Sequence, residues 1–148
     1  MDRAGGKMKI NTNYHGEIEL NDEDILTLVN GMLGFEGIEK FVLIKEEDIF
    51  VEYLQSVKDD IAFAVMDPFV IKQDYTFDIP EMVIKTLDIK SSDEVVIKTV
   101  VVIPEDITKI RTNLQAPIVF NKANNKGMQI VLDDTYPLRY EFYNKEEE

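Results

Sequence analysis

Over most of the chain, apolar and polar side chains alternate with a period of two, the pattern of strands that bury one face. Lys7–Thr12 puts Met8 and Ile10 on one face, and Glu17–Leu20 alternates in the same way. The intervening Asn13-Tyr14-His15-Gly16 has turn chemistry, so the chain is predicted to open with a hairpin. Short apolar runs follow at Ile25–Val29, Phe41–Ile44, Val51–Ser56 and Ile61–Met66, of strand length and rich in β-branched or aromatic residues. Tyr75, Phe77 and Ile79 alternate with Thr76 and Asp78 and predict a further strand. Val95–Ile103 is the longest apolar segment, interrupted only by Lys98 and Thr99 and closed by Pro104. So β-branched a run favours a central strand over a helix. Ala116–Asn121 and Met128–Asp133 flank Lys122–Gly127, whose Asn and Gly residues tolerate positive φ and suit a hairpin loop.

Helix is scarce. Phe35–Lys40 is predicted to form one turn after the Gly31–Gly34 corner. Pro80–Leu87 is predicted as a short helix, with Pro80 at its first position, Glu81 in the first turn, and Met82, Ile84 and Leu87 apolar. Short strands at near-regular spacing predict a mostly β fold, a compact antiparallel barrel or sandwich-like single domain with one or two short helices. The 148 residues suit one domain, expected over residues 8–139. Residues 1–7 read as an added or alternative start, and residues 140–148 as an acidic tail holding Tyr140, Phe142 and Tyr143.

Charge narrows the partners. The net charge is −13, and residues 1–74 hold 7 basic against 16 acidic side chains, so that half alone carries −9. Nucleic acid and anionic lipid both demand cationic contacts, so direct binding to either is disfavoured. With no Cys and a single His, thiolate chemistry and any site needing two imidazoles are excluded, and no cofactor is expected. No apolar run approaches the roughly 20 residues of a membrane span. The expected setting is the cytoplasm.

Candidate chemistry is thin. His15 sits in the first turn and reads as a turn residue. Acidic clusters stand at Asp22-Glu23-Asp24, Glu46-Glu47-Asp48, Asp59-Asp60 and Asp133-Asp134, all at strand ends where a solvated turn is the usual environment. None has the spacing of a calcium loop. Gly31 to Gly37 contains three glycines but no following Lys-Ser/Thr, so it reads as a tight corner in which Gly31 and Gly34 supply positive φ and Phe35 folds back onto the core. A paired-carboxylate enzyme, or a sugar- or cation-binding module, remains the alternative reading.

Four separated stretches carry a resemblance. Asn30-Gly31-Met32-Leu33-Gly34-Phe35-Glu36 is similar to an N-G-L-P-G-F-E segment, with Leu33 where a proline is usual and Leu28-Val29 where Phe-Pro is common. Leu54-Gln55-Ser56 followed by Ala62-Phe63-Ala64-Val65-Met66-Asp67-Pro68 resembles L-Q-S … A-F-x-V-x-D-P. Asn113-Leu114-Gln115-Ala116-Pro117-Ile118-Val119-Phe120-Asn121 resembles N-L-x-A-P-I-V-x-N, and Gly127-Met128-Gln129-Ile130-Val131-Leu132 resembles G-x-Q-x-V-L. In this order they resemble the bacterial flagellar assembly factor FliW family.

That resemblance implies a compact β protein that is not an enzyme and that binds newly made flagellin. It also implies binding to CsrA, a small dimeric RNA-binding regulator, with relief of its repression of flagellin translation. The two partners are implied to exclude one another, and the factor is expected to be a monomer. Within the matching stretches, physical reasoning selects candidate partner contacts: Asp67, Pro68, Phe69 and Val70 in a turn, and Tyr75, Phe77 and Asp78 on an expected edge strand. Asn113, Ala116, Pro117 and Ile118 at a strand entrance complete the set.

Overall fold

The computed structural model describes residues 7–12, 15–45 and 50–143. Residues 1–6 of the expected added start, Asn13 and Tyr14 of the first turn, the Glu46-Glu47-Asp48 cluster and residues 144–148 of the tail lie outside these.

The expected opening hairpin is present: β1 (Lys7–Thr12) pairs antiparallel with β2 (Gly16–Asn21) as a separate two-stranded sheet. The other strands are β3 (Leu26–Leu28), β4 (Lys40–Lys45), β5 (Glu52–Ser56), β6 (Ala62–Met66), β7 (Val95–Val102), β8 (Arg111–Thr112), β9 (Ile118–Asn121), β10 (Lys126–Gln129) and β11 (Tyr140–Glu141). From β3 to β7 each strand pairs with the next in sequence; β7 then pairs with β9, β9 with β10, and β10 with β3. The ring closes, which selects a barrel over a sandwich. Every joint in it is antiparallel except β3–β10, where two strands far apart in sequence run parallel. Closure pairs most of the ring's strand edges, although β7 runs past its β6 partner at Val95–Ile97.

Register sorts the side chains. Leu43, Leu54 and Phe63 are cross-strand neighbours on β4, β5 and β6, and Phe120 opposes both Val96 and Gly127. These rows form the inner face, where Leu28, Phe41, Leu54, Val65, Ile118 and Phe120 make one buried cluster. Near its end the interior holds Glu52 and Lys98, with Lys98 Nζ 2.6 Å from Glu52 Oε1 and the exposed Lys45 3.9 Å away. Both members of the close pair are largely buried, and their attraction offsets part of the cost of removing them from water.

The interior is filled to contact. A Cβ on Gly127 would lie 2.5 Å from the Phe120 ring and 3.0 Å from Leu28, so only glycine lets β10 close against both. Gly31 meets a different constraint: its φ is +68°, and a Cβ there would strike the backbone carbonyls of Phe35, Glu36 and Ile38. Gly34 also has positive φ, as expected of the corner. At the two corner positions where the resemblance would place proline, the N–H is in use. Val29 N–H donates to Gly127 O at 2.8 Å, and Leu33 N–H donates to Gln129 Oε1 at 2.8 Å. Both bonds hold β10, and proline could make neither.

Outside the barrel, α1 (Glu81–Thr86) covers β9 and β10 through Val83, Leu87, Val119, Met128 and Ile130. The expected helix is therefore present, with a different buried face. Val83 and Leu87, four apart, point inward, whereas Met82 and Ile84 face solvent. Phe35–Lys40 forms no helix; a Met32–Phe35 bridge and successive turns replace it. Phe35 packs edge-on against Phe63 while keeping 41% of its surface exposed. β8 and β11 extend from β7, and Phe142 and Tyr143 pack against Met66, Val101 and Ile110. The first residues of the expected tail are thus docked on the barrel. Met128–Asp133 leaves the ladder after Gln129, though Ile130 N–H and Leu132 N–H still bond to Pro117 and Gln115.

Gly127→Ala is expected to destabilise the fold by about 1–3 kcal/mol through overpacking against Phe120, whereas Gly37→Ala, which meets nothing within 4 Å, should change it little. Urea denaturation of the two variants checks the contrast.

Candidate functional site

The segment between β6 and α1 is set by its first two residues. Asp67 Oδ1 accepts from Phe69 N–H at 3.0 Å, and Pro68 takes the first position of a 3₁₀ turn spanning Pro68–Val70. Pro68 is buried beneath the turn, which leaves Phe69 and Val70 facing solvent at 39% and 64% exposure.

From there to Pro80 the chain runs without a strand partner, although period two predicts a strand over Tyr75–Ile79. A side chain replaces the neighbouring strand. Thr76 N–H donates to the Tyr136 hydroxyl at 3.1 Å, and that hydroxyl donates back to Thr76 O at 2.9 Å. One hydroxyl thus serves both backbone groups, as a ladder residue would. Tyr75 is buried between Phe69, Phe77 and Tyr136, and its hydroxyl donates to Leu114 O at 2.6 Å. Burial pushes the Tyr75 phenol well above its ordinary pKa, with Tyr136 adding to the shift.

Beyond α1, the Asn121 amide donates to Leu87 O at 2.8 Å and to Asp88 O at 3.2 Å, while Asn124 donates to Leu87 O at 2.9 Å. These bonds cap the helix end and fix α1 against β9. The connection, the helix and the first half of β7 then enclose an open groove of about 810 Å³. Phe69, Phe77 and Ile79 come from the connection, Ile84 and Ile89 from α1 and its exit, and Val95 and Ile97 from β7, with Asp78 and Lys90 also lining it. A second depression of about 540 Å³ lies between β2 and β4, where Ile18, Leu20, Val42 and Ile44 meet Glu19, Glu23 and Asp24.

The sequence candidates divide between these surroundings and the core. Phe69, Phe77 and Asp78 line the larger groove, and Val70 is exposed on the same turn as Phe69. Asp67 spends a carboxylate oxygen on its own turn. Pro68, Tyr75, Ala116, Pro117 and Ile118 are buried and offer a partner no side-chain surface. Tyr75 is not on an edge strand, for the reason given by Tyr136. Asn113 Oδ1 accepts from Gln115 and Ala116 N–H at 3.0 and 3.1 Å, so that side chain caps its own turn. Sequence reasoning missed Ile79, Ile84, Ile89, Val95 and Ile97. The available signal was the crowding of Met82, Val83 and Ile84 on a helix too short to bury all three.

Asp78 and Lys90 are the charged side chains that line the groove, and the carboxylates with shifted pKa lie outside it. The carboxylates of Glu36 and Asp133 are held low by hydrogen bonds from their own turns, Gly34 and Thr135 respectively, and both are solvent-exposed. Lys72 and Lys90 are raised by hydrogen bonds to Asp74 and Asp88, in ion pairs of 3.2 and 2.9 Å. Among the described residues, no three His, Asp or Glu side chains converge to hold a metal ion. The arrangement is an apolar surface with charged margins, suited to docking.

Residues 9–142 match the family model described as FliW protein. The flagellar assembly factor FliW of Caldicellulosiruptor saccharolyticus is 44% identical over 136 residues, covering 90% of each chain. That of Clostridium acetobutylicum is 40% identical over 129 residues, covering 86% of this chain and 92% of its own. A crystal structure of the flagellar assembly factor FliW superposes with a TM-score of 0.88 at 29% identity, covering 93% of this chain and 99% of that one.

Tyr136→Phe removes both bonds to Thr76 and should cost about 1 kcal/mol while speeding exchange of the Thr76 amide, as NMR would read. The raised Tyr75 pKa adds a stability contribution that is fully present below the unfolded value of about 10 and is lost as pH rises past it. Denaturation between pH 8 and pH 11, on the scale of tyrosine ionisation, should therefore show a decline that Tyr75→Phe flattens.

Proposed function

This chain belongs to the FliW family of flagellar assembly factors, and from that premise we propose that it couples flagellin supply to flagellin synthesis by exchanging two protein partners. Free factor binds CsrA and relieves its repression of flagellin mRNA translation. Newly made flagellin binds the factor in the cytoplasm as its chaperoned client and displaces CsrA. The factor acts as a monomer and touches no RNA itself.

The observation that carries this reading is the open apolar groove on a strongly acidic protein. A net charge of −13 opposes contact with phosphate backbones but favours association with a basic, RNA-binding regulator. Bound to such a regulator, the factor would place negative potential beside the RNA path and weaken RNA binding without occupying the base-reading surface. The exposed Phe69, Val70 and Ile84 supply the desolvation energy that charge alone does not. No helix of the described chain is long and apolar enough to cross a membrane.

Calorimetric titration with purified CsrA and purified flagellin, separately and in competition, tests the proposal. Each should bind alone, and flagellin should displace CsrA. An absence of binding to both would sink it. Displacement of RNA from CsrA should weaken as salt rises, since the repulsion is screened within about 10 Å at 0.1 M salt; inhibition indifferent to salt would remove the electrostatic part.

A further inference from the structure

The floor of the larger groove contains an unfinished piece of ladder. Along β7, hydrogen-bonding directions alternate from residue to residue. Lys122 N–H donates to Glu94 O and Asn113 N–H to Val100 O, so even-numbered residues of this stretch face β8 and β9. Odd-numbered residues face the β6 side. There the pairing runs through Val65–Val100 and Met66–Thr99 and stops. The next residue to oppose Ile97 in this register would be Pro68, which has no N–H, and its carbonyl already accepts from Ile71 and Lys72. Val95 N–H turns back to Ser92 O, but among the described residues nothing bonds Val95 O or the β6-side N–H and carbonyl of Ile97.

Those groups stand beside apolar side chains that project from the segment replacing the missing strand. Phe69, Phe77 and Ile79 come from this segment, and the side chains of Val95 and Ile97 also line the groove. The surroundings are acidic: residues 67–97 hold seven acidic and three basic side chains, and two of those lysines, Lys72 and Lys90, are already paired with Asp74 and Asp88. A cation arriving from outside meets surplus carboxylate.

We propose that this groove captures an extended segment of a protein partner by strand addition to β7 at its open groups, Val95 O and the N–H and carbonyl of Ile97. The segment's alternate apolar side chains enter between Phe69, Phe77 and Ile84, and its intervening lysines or arginines meet the acidic margin. Main-chain bonds supply affinity, and the alternation supplies selectivity. A docked helix, whose backbone bonds are internally satisfied, would leave the β7 edge unused. The proposal rests on the partner-exchange reading for the identity of the partners but not for the chemistry of the edge.

The test is amide exchange by NMR on the whole chain, first with a synthetic peptide of about ten residues alternating Lys and Val, then with flagellin and with CsrA. The Lys–Val peptide should slow exchange at Ile97 by at least about tenfold. A Glu–Val peptide should not. Phe69→Glu and Ile84→Glu, both at partly exposed positions, should weaken Lys–Val binding by at least about tenfold with the folded amide spectrum retained. Binding of flagellin and CsrA with neither protecting the Ile97 amide overturns the proposal and leaves the functional reading standing. Peptide protection with no binding of either protein does the reverse. Shifts in groove side chains without amide protection mean a helical occupant and also overturn it.

Discussion

Val95–Val102 is the strand on which the whole sheet converges. It pairs with β6 along one edge and with β8 and then β9 along the other, and only through the β9 pairing does the chain of strands become a ring. Its two faces serve different cores: Val96 and Val100 join the barrel interior, Val95 and Ile97 pack under α1, and Val101 joins the cluster that receives Phe142. A strand asked to present apolar residues on both faces must be a near-continuous β-branched run, and this one is. Lys98 is its one charged inward residue, tolerable because Glu52 meets it across the barrel end.

The four motifs that carry the resemblance do most of their work inside the molecule. Gln55 donates to Ser56 O and Ile61 O, and Ser56 Oγ accepts from Lys58 and Asp59, which together form the β5–β6 turn. Asn121 fastens the helix, and Asn113 shapes the entrance to β9. Gln129 accepts from Leu33 and donates to Ala116 O, joining the glycine corner to that entrance. Gly127 gives Phe120 its space. These residues identify the family because they specify turns and closure, and for the same reason they are poor guides to where a partner sits.

This explains what could be read from the sequence. Strands with alternating or continuous apolar residues were legible because their pattern reflects burial, and the corner was legible because Gly31 and Gly34 need positive φ. Tyr75–Ile79 had the same alternation without a ladder, since a tyrosine sixty residues away satisfies its backbone, and no local pattern reports that. The parallel β3–β10 joint was illegible for a related reason: nothing in Leu26–Leu28 names Gly127 as its partner. As for the candidate site, the Asp67-Pro68 turn leads to Phe69, which is exposed and lines the groove. Ala116-Pro117-Ile118 did not lead to surface, because that step dives into the barrel.

The parallel joint also sets when the protein becomes competent. Leu28 finds its ladder partner at Gly127, and Val95 finds its partner at Asn121. A ribosome delivers residues in order, so a nascent chain carrying β1 to β7 holds two unclosed sheet margins and a helix whose covering face lacks β9 and β10. Loop closure over such separations comes late and all together. Barrel and groove therefore mature as one event, and a partially synthesised copy holds neither a closed ring nor a seated helix.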